Sequence, residues 1–221
     1  MQYFNPGCAV QIYKPEAAQK IFAFLSQQNP DISFHEICCH FHPQVPENSQ
    51  ILNVCAGCDR RFRTLYEGIS TKSLWEALAE SDDFPFPDHQ GATITIHDPC
   101  PLRKRPDAHQ AVRTLLTKMN FHIIEAEHHG SHSECCGDSS YPDLPVDQIH
   151  ANMRKRADTM PVEDVCVYCV SCINAIHTGG KTPRYLLDLL LGEATTPLPY
   201  DIETWHNHLG EYRLAHNGES Q

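Results

Sequence analysis

Gly91-Ala92-Thr93-Ile94-Thr95-Ile96-His97-Asp98-Pro99-Cys100 is an alternating, β-branched run that ends at a cysteine, and it reads as a strand. Downstream, Asp107 to Phe121 places Ala111, Val112, Leu115, Leu116 and Met119 at helical spacing. His122 to Ala126 is a β-leaning run leading toward Cys135-Cys136. Val146 to Met160 reads as a helix and Glu163 to Tyr168 as a strand entering Cys169. The last helix is expected with Thr182 as N-cap, Pro183 at its first position, the run Tyr185 to Leu191, and Gly192 as stop.

The same order stands in the first half. Gln2 to Phe4 leads into Cys8, Glu16 to Gln28 reads as a helix, Ser33 to Ile37 enters Cys38, and Gln50 to Val54 enters Cys55. Strands alternating with helices imply βαβ crossovers and mainly parallel sheets, with ligands at the carboxyl ends of the strands. Every cysteine group falls at such an end. Thr71 to Asp83, with Leu74, Trp75, Leu78 and Ala79, is expected as an amphipathic helix, and the Pro-rich FPFPDHQG stretch as a linker. The boundaries follow: 1–87, 88–192, and a tail over 193–221 that docks as a short helix or binds a partner, the sequence leaving the choice open.

The cysteines carry the chemistry. There are eleven, an odd number, so internal disulfides cannot pair them all. Cys8, Cys38-Cys39 and Cys55-x-x-Cys58 repeat as Cys100, Cys135-Cys136 and Cys169-x-x-Cys172, leaving only Cys166, which reads as a small buried residue. Fifteen residues separate Cys39 from Cys55, against thirty-two between Cys136 and Cys169. The shortfall is about one helix, so the first half is a truncated copy whose strand pairing the sequence leaves open. A tetrahedral zinc site is filled by four ligands, and adjacent cysteines chelate a single ion poorly. Two sets of five therefore favour iron–sulfur clusters over zinc. The run C-x-x-C-x-x-C-x-x-x-C of common ferredoxins is absent.

Seventeen Lys and Arg against twenty-eight Asp and Glu give a formal charge of -11, which argues against nucleic acid or anionic lipid as the main partner. No stretch reaches the roughly 18 to 20 apolar residues of a spanning helix, and MQYFNPGCAV lacks a basic region before an apolar one. A soluble, cytoplasmic protein with no transmembrane segment is expected, and a disulfide-rich secreted scaffold is set aside.

The second set, with Cys135-Cys136-Gly137 thirty-four residues after Cys100 and Cys169-Val170-Ser171-Cys172 thirty-one residues on, resembles the CCG cysteine-rich domain. Such domains occur in tandem in the catalytic subunit of heterodisulfide reductases and in iron–sulfur subunits of glycolate, lactate and glycerol-3-phosphate oxidation systems. The resemblance implies an α/β fold of two tandem, pseudo-twofold-related Rossmann-like domains with mainly parallel sheets. It implies a noncubane [4Fe-4S] cluster on Cys100, Cys135, Cys136, Cys169 and Cys172. By the same motif, Cys8, Cys38, Cys39, Cys55 and Cys58 hold a second. There the glycine is replaced by His40, giving CCH, and a smaller cluster, zinc or no metal are the alternatives.

The implied activity is reduction of a small-molecule or protein disulfide, each cluster supplying one electron and capturing one sulfur. Without a G-x-G-x-x-G fingerprint or a haem C-x-x-C-H, such a subunit needs an electron-donating partner, ferredoxin-like or a flavoprotein. The alternatives are an electron-transfer subunit of a 2-hydroxy acid oxidation system and a zinc-binding structural module on the same fold.

Other features read more simply. Ala175 to Thr182, AIHTGGKT, reads as a loop before a capped helix and not as a P-loop. The clusters Arg60, Arg61, Arg63 and Arg103, Lys104, Arg105 read as solvated faces, with substrate steering as the rival. His128, His129 and His132 read as a polar loop. His40 and His97 are the candidates for hydrogen bonds that tune a cluster.

Overall fold

The computed structural model describes residues 1–218, so the last three positions of the tail segment, 219–221, lie outside the described residues. The first half contains β1 (Gln2–Asn5), α1 (Cys8–Tyr13), α2 (Pro15–Gln28), β2 (Ser33–Phe34), β3 (Ser49–Asn53), α3 (Ala56–Leu65), β4 (Ile69–Ser73) and α4 (Leu74–Ala79). The second contains β5 (Thr93–His97), α5 (Pro106–Lys118), β6 (His122–Ile123), α6 (Val146–Asp158), β7 (Asp164–Val167), α7 (Val170–Thr178), β8 (Thr182–Tyr185) and α8 (Leu186–Leu190), and α9 (Ile202–Ala215) follows.

Two four-stranded sheets result, in the orders β2-β1-β3-β4 and β6-β5-β7-β8, every pairing parallel. This is an α/β fold of two Rossmann-like units built to one topology. In the first, Tyr3 lies opposite Ser33 on one side and Ile51 on the other, which supplies the pairing that the shortened sequence left open.

Parallel sheets need helices on their faces, and central strands become buried on both. Ile94, Thr95, Ile96 and His97 are accordingly all buried in β5, as are Ile51, Leu52 and Asn53 in β3. The helices supply matching stripes: Ala108, Ala111, Val112, Leu115 and Leu116 on α5, and Ala17, Ala18, Ile21 and Leu25 on α2.

Two expectations are corrected. The segment expected as one helix from Thr71 divides into β4, whose Thr71 pairs with Ile51, and α4, which starts after a capping box of Ser73 and Glu76. The ladder with β3 satisfies the backbone up to Ser73, and the box takes over there. Likewise Thr182 and Pro183 do not open a helix. They lie in β8, with Pro183 opposite Val165, and α8 begins only at Leu186. An edge strand tolerates a residue without an N–H, and β8 is an edge. Gly192 does end the helical segment, with φ of 67°.

Between β2 and β3, where the second unit carries α6, residues 35–48 contain no helix. Contacts divide the chain into Pro85–Glu203 and a unit made of Met1–Phe84 with the residues from Thr204 onward, so most of α9 belongs to the first unit. Trp205 on α9 is 1% exposed, and the Cys38 N–H donates to the His216 carbonyl at 2.9 Å just beyond the helix. The C-terminal segment thus supports the Cys38-Cys39 loop through the backbone. Trp205→Ala is expected to cost about 3–5 kcal/mol, with loss of amide-exchange protection in β1 to β4. Urea unfolding and hydrogen exchange measure both.

Candidate metal centres

Cysteines sit at the carboxyl ends of three adjacent strands in each sheet. Cys8 follows β1, Cys38 and Cys39 follow β2, and Cys55 follows β3; Cys100 follows β5, Cys135 and Cys136 lie on the loop after β6, and Cys169 follows β7. Cys55 and Cys169 are the N-caps of α3 and α7, with Cys58 and Cys172 in the first turns. A helix N-terminus carries a partial positive charge, which favours thiolate there.

The structure brings all ten expected cysteines together, five and five. In the first set the thiols touch in the sequence Cys8, Cys38, Cys39, Cys58, Cys55. In the second they touch as Cys100, Cys135, Cys136, Cys172, Cys169, with Cys136 and Cys172 sulfurs 3.4 Å apart. The two chains of contact have the same order. Cys166 is fully buried in β7 and stands apart from them, its thiol pushed up by burial.

Neighbouring thiols decide which sulfur ionises. Cys135 is held far below the usual thiol range by donation from Cys100 and Cys136, and Cys38 is held at about 2 by Cys39 and Cys8. Cys8, Cys39 and Cys58, and likewise Cys100, Cys136 and Cys172, are pushed up, first by donating to a neighbour and then by burial and adjacent negative charge. Neither set can carry five thiolates unless positive charge is supplied among them. Five converging soft donors in that state fit a thiophilic metal centre with more than one metal ion. The first set also borders a small cleft, lined by Asn5, Gln11, His35 and Tyr212 together with Cys8, Cys38, Cys39 and Cys58.

The loops that carry the adjacent cysteines are held by backbone contacts. The Gly137 N–H donates to Cys135 Sγ at 3.4 Å, and the His40 N–H donates to Cys38 in the equivalent place. Gly137 has φ of 106°, and a Cβ there would lie 3.0 Å from Met153 Cγ and 3.2 Å from the Met153 nitrogen, both on α6. The first unit lacks that helix, and His40 is exposed without a positive φ. Position 40 thus lacks the crowding that Met153 imposes at Gly137, and a side chain is tolerated there.

One arginine from each basic cluster clamps a loop. Arg61 donates to the Cys39 carbonyl at 3.3 Å and Arg103 to the Ser133 carbonyl at 2.9 Å. Each of these side chains is thus tied to a loop carbonyl, while Arg103 stays exposed and Arg61 half-buried. His128 pairs with Glu134, His129 with the Ala126 carbonyl and His132 with Ser131, as suits a polar loop. The AIHTGGKT stretch runs from α7 into β8, the reverse of the strand-to-helix order a P-loop requires.

The second set adjoins buried polar residues of which sequence reading singled out only His97. Asp98, 0% exposed, binds Arg113 through two hydrogen bonds of 2.9 Å and accepts from the Gly130 N–H at 2.6 Å and Tyr168 Oη at 2.5 Å. Burial alone would raise its carboxyl, yet Arg113 and the other donors hold it at about 2. Arg156, on α6, donates to His97 Nδ1, Ser133 Oγ, the His128 carbonyl and Thr159 Oγ1. A signal was present: Ile149, Met153, Arg156 and Ala157 form one helical stripe, and an arginine on an apolar stripe needs a buried role. His97, Cys136 and Cys172 present ligand atoms within 4.8 Å of one another.

Residues 94–177 match the family model described as CCG, the cysteine-rich domain. The matched segment begins in β5 and contains the whole second set. A curated relative, described as a probable membrane-anchored ferredoxin of Chromohalobacter salexigens, is 30% identical over 99 residues, covering 43% of this chain. The match spans 15% of that protein's length. No helix among the described residues here is long and apolar enough to cross a membrane. The solved structure of Picrophilus torridus aspartate racemase aligns over 98% of both chains with a TM-score of 0.35 and 10% identity, too loose to bear on function.

Gly137→Ala is expected to lose about 1–3 kcal/mol through the clash with α6 and the left-handed backbone, whereas His40→Gly changes stability by about 0.5 kcal/mol or less. Asp98→Ala leaves Arg113 without its buried partner and costs about 3–5 kcal/mol. Urea midpoints of the three variants test both statements.

Proposed function

We propose that this chain is an iron–sulfur redox protein with one centre on each five-cysteine set, reducing a disulfide in the manner of the catalytic subunit of heterodisulfide reductase. The observation that carries the reading is the repeated contact order of the thiols, which is surplus to any four-ligand zinc site. The cysteine-rich domain match over 94–177 and the ferredoxin relative support iron over zinc.

Cys100, Cys135, Cys136, Cys169 and Cys172 hold one centre, and Cys8, Cys38, Cys39, Cys55 and Cys58 the other. Such a centre supplies one-electron transfer at thiolate-held iron. The chain's own residues shape access: at the first set, Asn5, Gln11, His35 and Tyr212 give the cleft polar walls and Glu36 its carboxylate. Tyr212 keeps its proton, its hydroxyl being pushed up to about 12 by burial and by the negative charge of Cys8, Glu36 and Cys38. The balanced reaction joins one disulfide with two electrons and two protons to give two thiols, the electrons coming from a ferredoxin-like or flavoprotein partner in the cytoplasm.

The ferredoxin relative favours a second reading, an electron-transfer subunit of a 2-hydroxy acid oxidation system that passes electrons without cleaving a disulfide. Anaerobically purified protein is expected to hold about eight iron and eight sulfide per chain, and about half of each after Cys39→Ser or Cys136→Ser. Reoxidation of the reduced protein by a disulfide, with release of thiol, supports the reductase. Full loading without reaction selects the electron carrier, and zinc without sulfide selects the structural module.

A further inference from the structure

We propose that His97 is a hydrogen-bond donor to the sulfurs of the second cysteine set and not a metal ligand, and that with Arg156 it raises the reduction potential of that centre. The proposal rests on the iron–sulfur reading above.

His97 ends β5, is 0% exposed, and its Nε2 has no hydrogen-bond partner. An unpaired ring nitrogen in this setting, with a ring atom near the Cys136 and Cys172 sulfurs, looks at first like a third ligand. The other nitrogen decides otherwise. Arg156 Nε donates to His97 Nδ1 at 3.2 Å, and a guanidinium has donors only, so Nδ1 must present its lone pair. A neutral imidazole then carries its proton on Nε2. Coordination through Nε2 would require an imidazolate, whereas donation of Nε2–H to sulfur keeps the ring neutral and its tautomer unchanged. An Nδ1 that accepts from Arg156 carries no proton, so the ring is not an imidazolium.

Arg156 contributes more than a tautomer. It is 2% exposed, and its hydrogen-bond acceptors are His97, Ser133, the His128 carbonyl and Thr159, all uncharged. Asp98 is already committed to Arg113 by two hydrogen bonds. Burial disfavours the guanidinium charge, and the groups placed to offset it when ionised are Glu134, Asp98, Cys136 and Cys172. Two of these four are sulfurs of the centre. An N–H bond to sulfur and a buried cation both favour the more negative, reduced state, so both raise the potential.

Among the described residues no histidine–arginine hydrogen bond is found at the first set, where buried His35 bonds the Pro43 carbonyl through Nε2. Three positions before its first cysteine stands Asn5, which donates to Asn53 Oδ1 at 2.7 Å, and the helix that carries Arg156 has no counterpart there. The first centre therefore serves as an internal reference in the same molecule.

The test uses the full chain prepared without oxygen, with iron and sulfide measured first and the two potentials then followed by EPR. His97→Phe and Arg156→Met are expected to lower the potential of the second centre at unchanged iron content, with the first centre unmoved. His97→Gln, which keeps an amide donor, and Arg156→Lys, which keeps the charge, are expected to restore part of the shift. Pulsed EPR of the wild-type protein labelled with 15N-histidine is expected to show one weakly coupled nitrogen at the second centre. A strongly coupled, ligating nitrogen overturns the proposal, including where the variants lose iron. Unchanged potentials in loaded variants overturn it while leaving the iron–sulfur function standing. A wild-type chain without iron or sulfide overturns both.

Discussion

Five sulfurs in contact repel one another as soon as more than one ionises, and the structure around each cysteine set answers that cost. The parallel sheet places three strand ends side by side, so loops from one edge deliver thiols to one point. Helix N-termini stand behind Cys55 and Cys169, and backbone N–H groups of His40 and Gly137 point at the first sulfur of each adjacent pair. Partial positive charge is thereby arranged where negative charge would gather.

The two units share this scheme and differ through one structural change. Losing the crossover helix shortens the first copy, frees position 40 from the contact that demands glycine at 137, and removes the face that carries Arg156. Most of α9 packs with the first unit, burying Trp205, and the His216 carbonyl beyond it accepts the Cys38 N–H. The outcome is two sets of thiols with the same contact order in different electrostatic surroundings, the second adjoining a buried network and the first bordering a cleft.

Strand and helix alternation and the pairing of the two cysteine sets were legible because both are written in local order: periodicity decides the element, and a strand's end decides where its cysteine falls. The last strand of each sheet was not legible. Thr182-Pro183 reads locally as a helix start, and only the free edge of β7 makes it a strand. Thr71 was likewise drawn into β4 by β3, although Ser73 and Glu76 spelled the true helix start.

By itself the sequence determined the α/β class, the repeat, the truncation and which ten of eleven cysteines form two matching sets, because spacing along the chain carries that information. Only the tertiary structure decided which sulfur touches which, that the C-terminal segment supports the first set, and that Asp98, Arg113, Tyr168 and Arg156 join His97 beside the second. Their physical basis is long-range: a buried charge persists only beside the partner that offsets its lost hydration, and His97 and Arg156 are joined across fifty-nine positions of sequence.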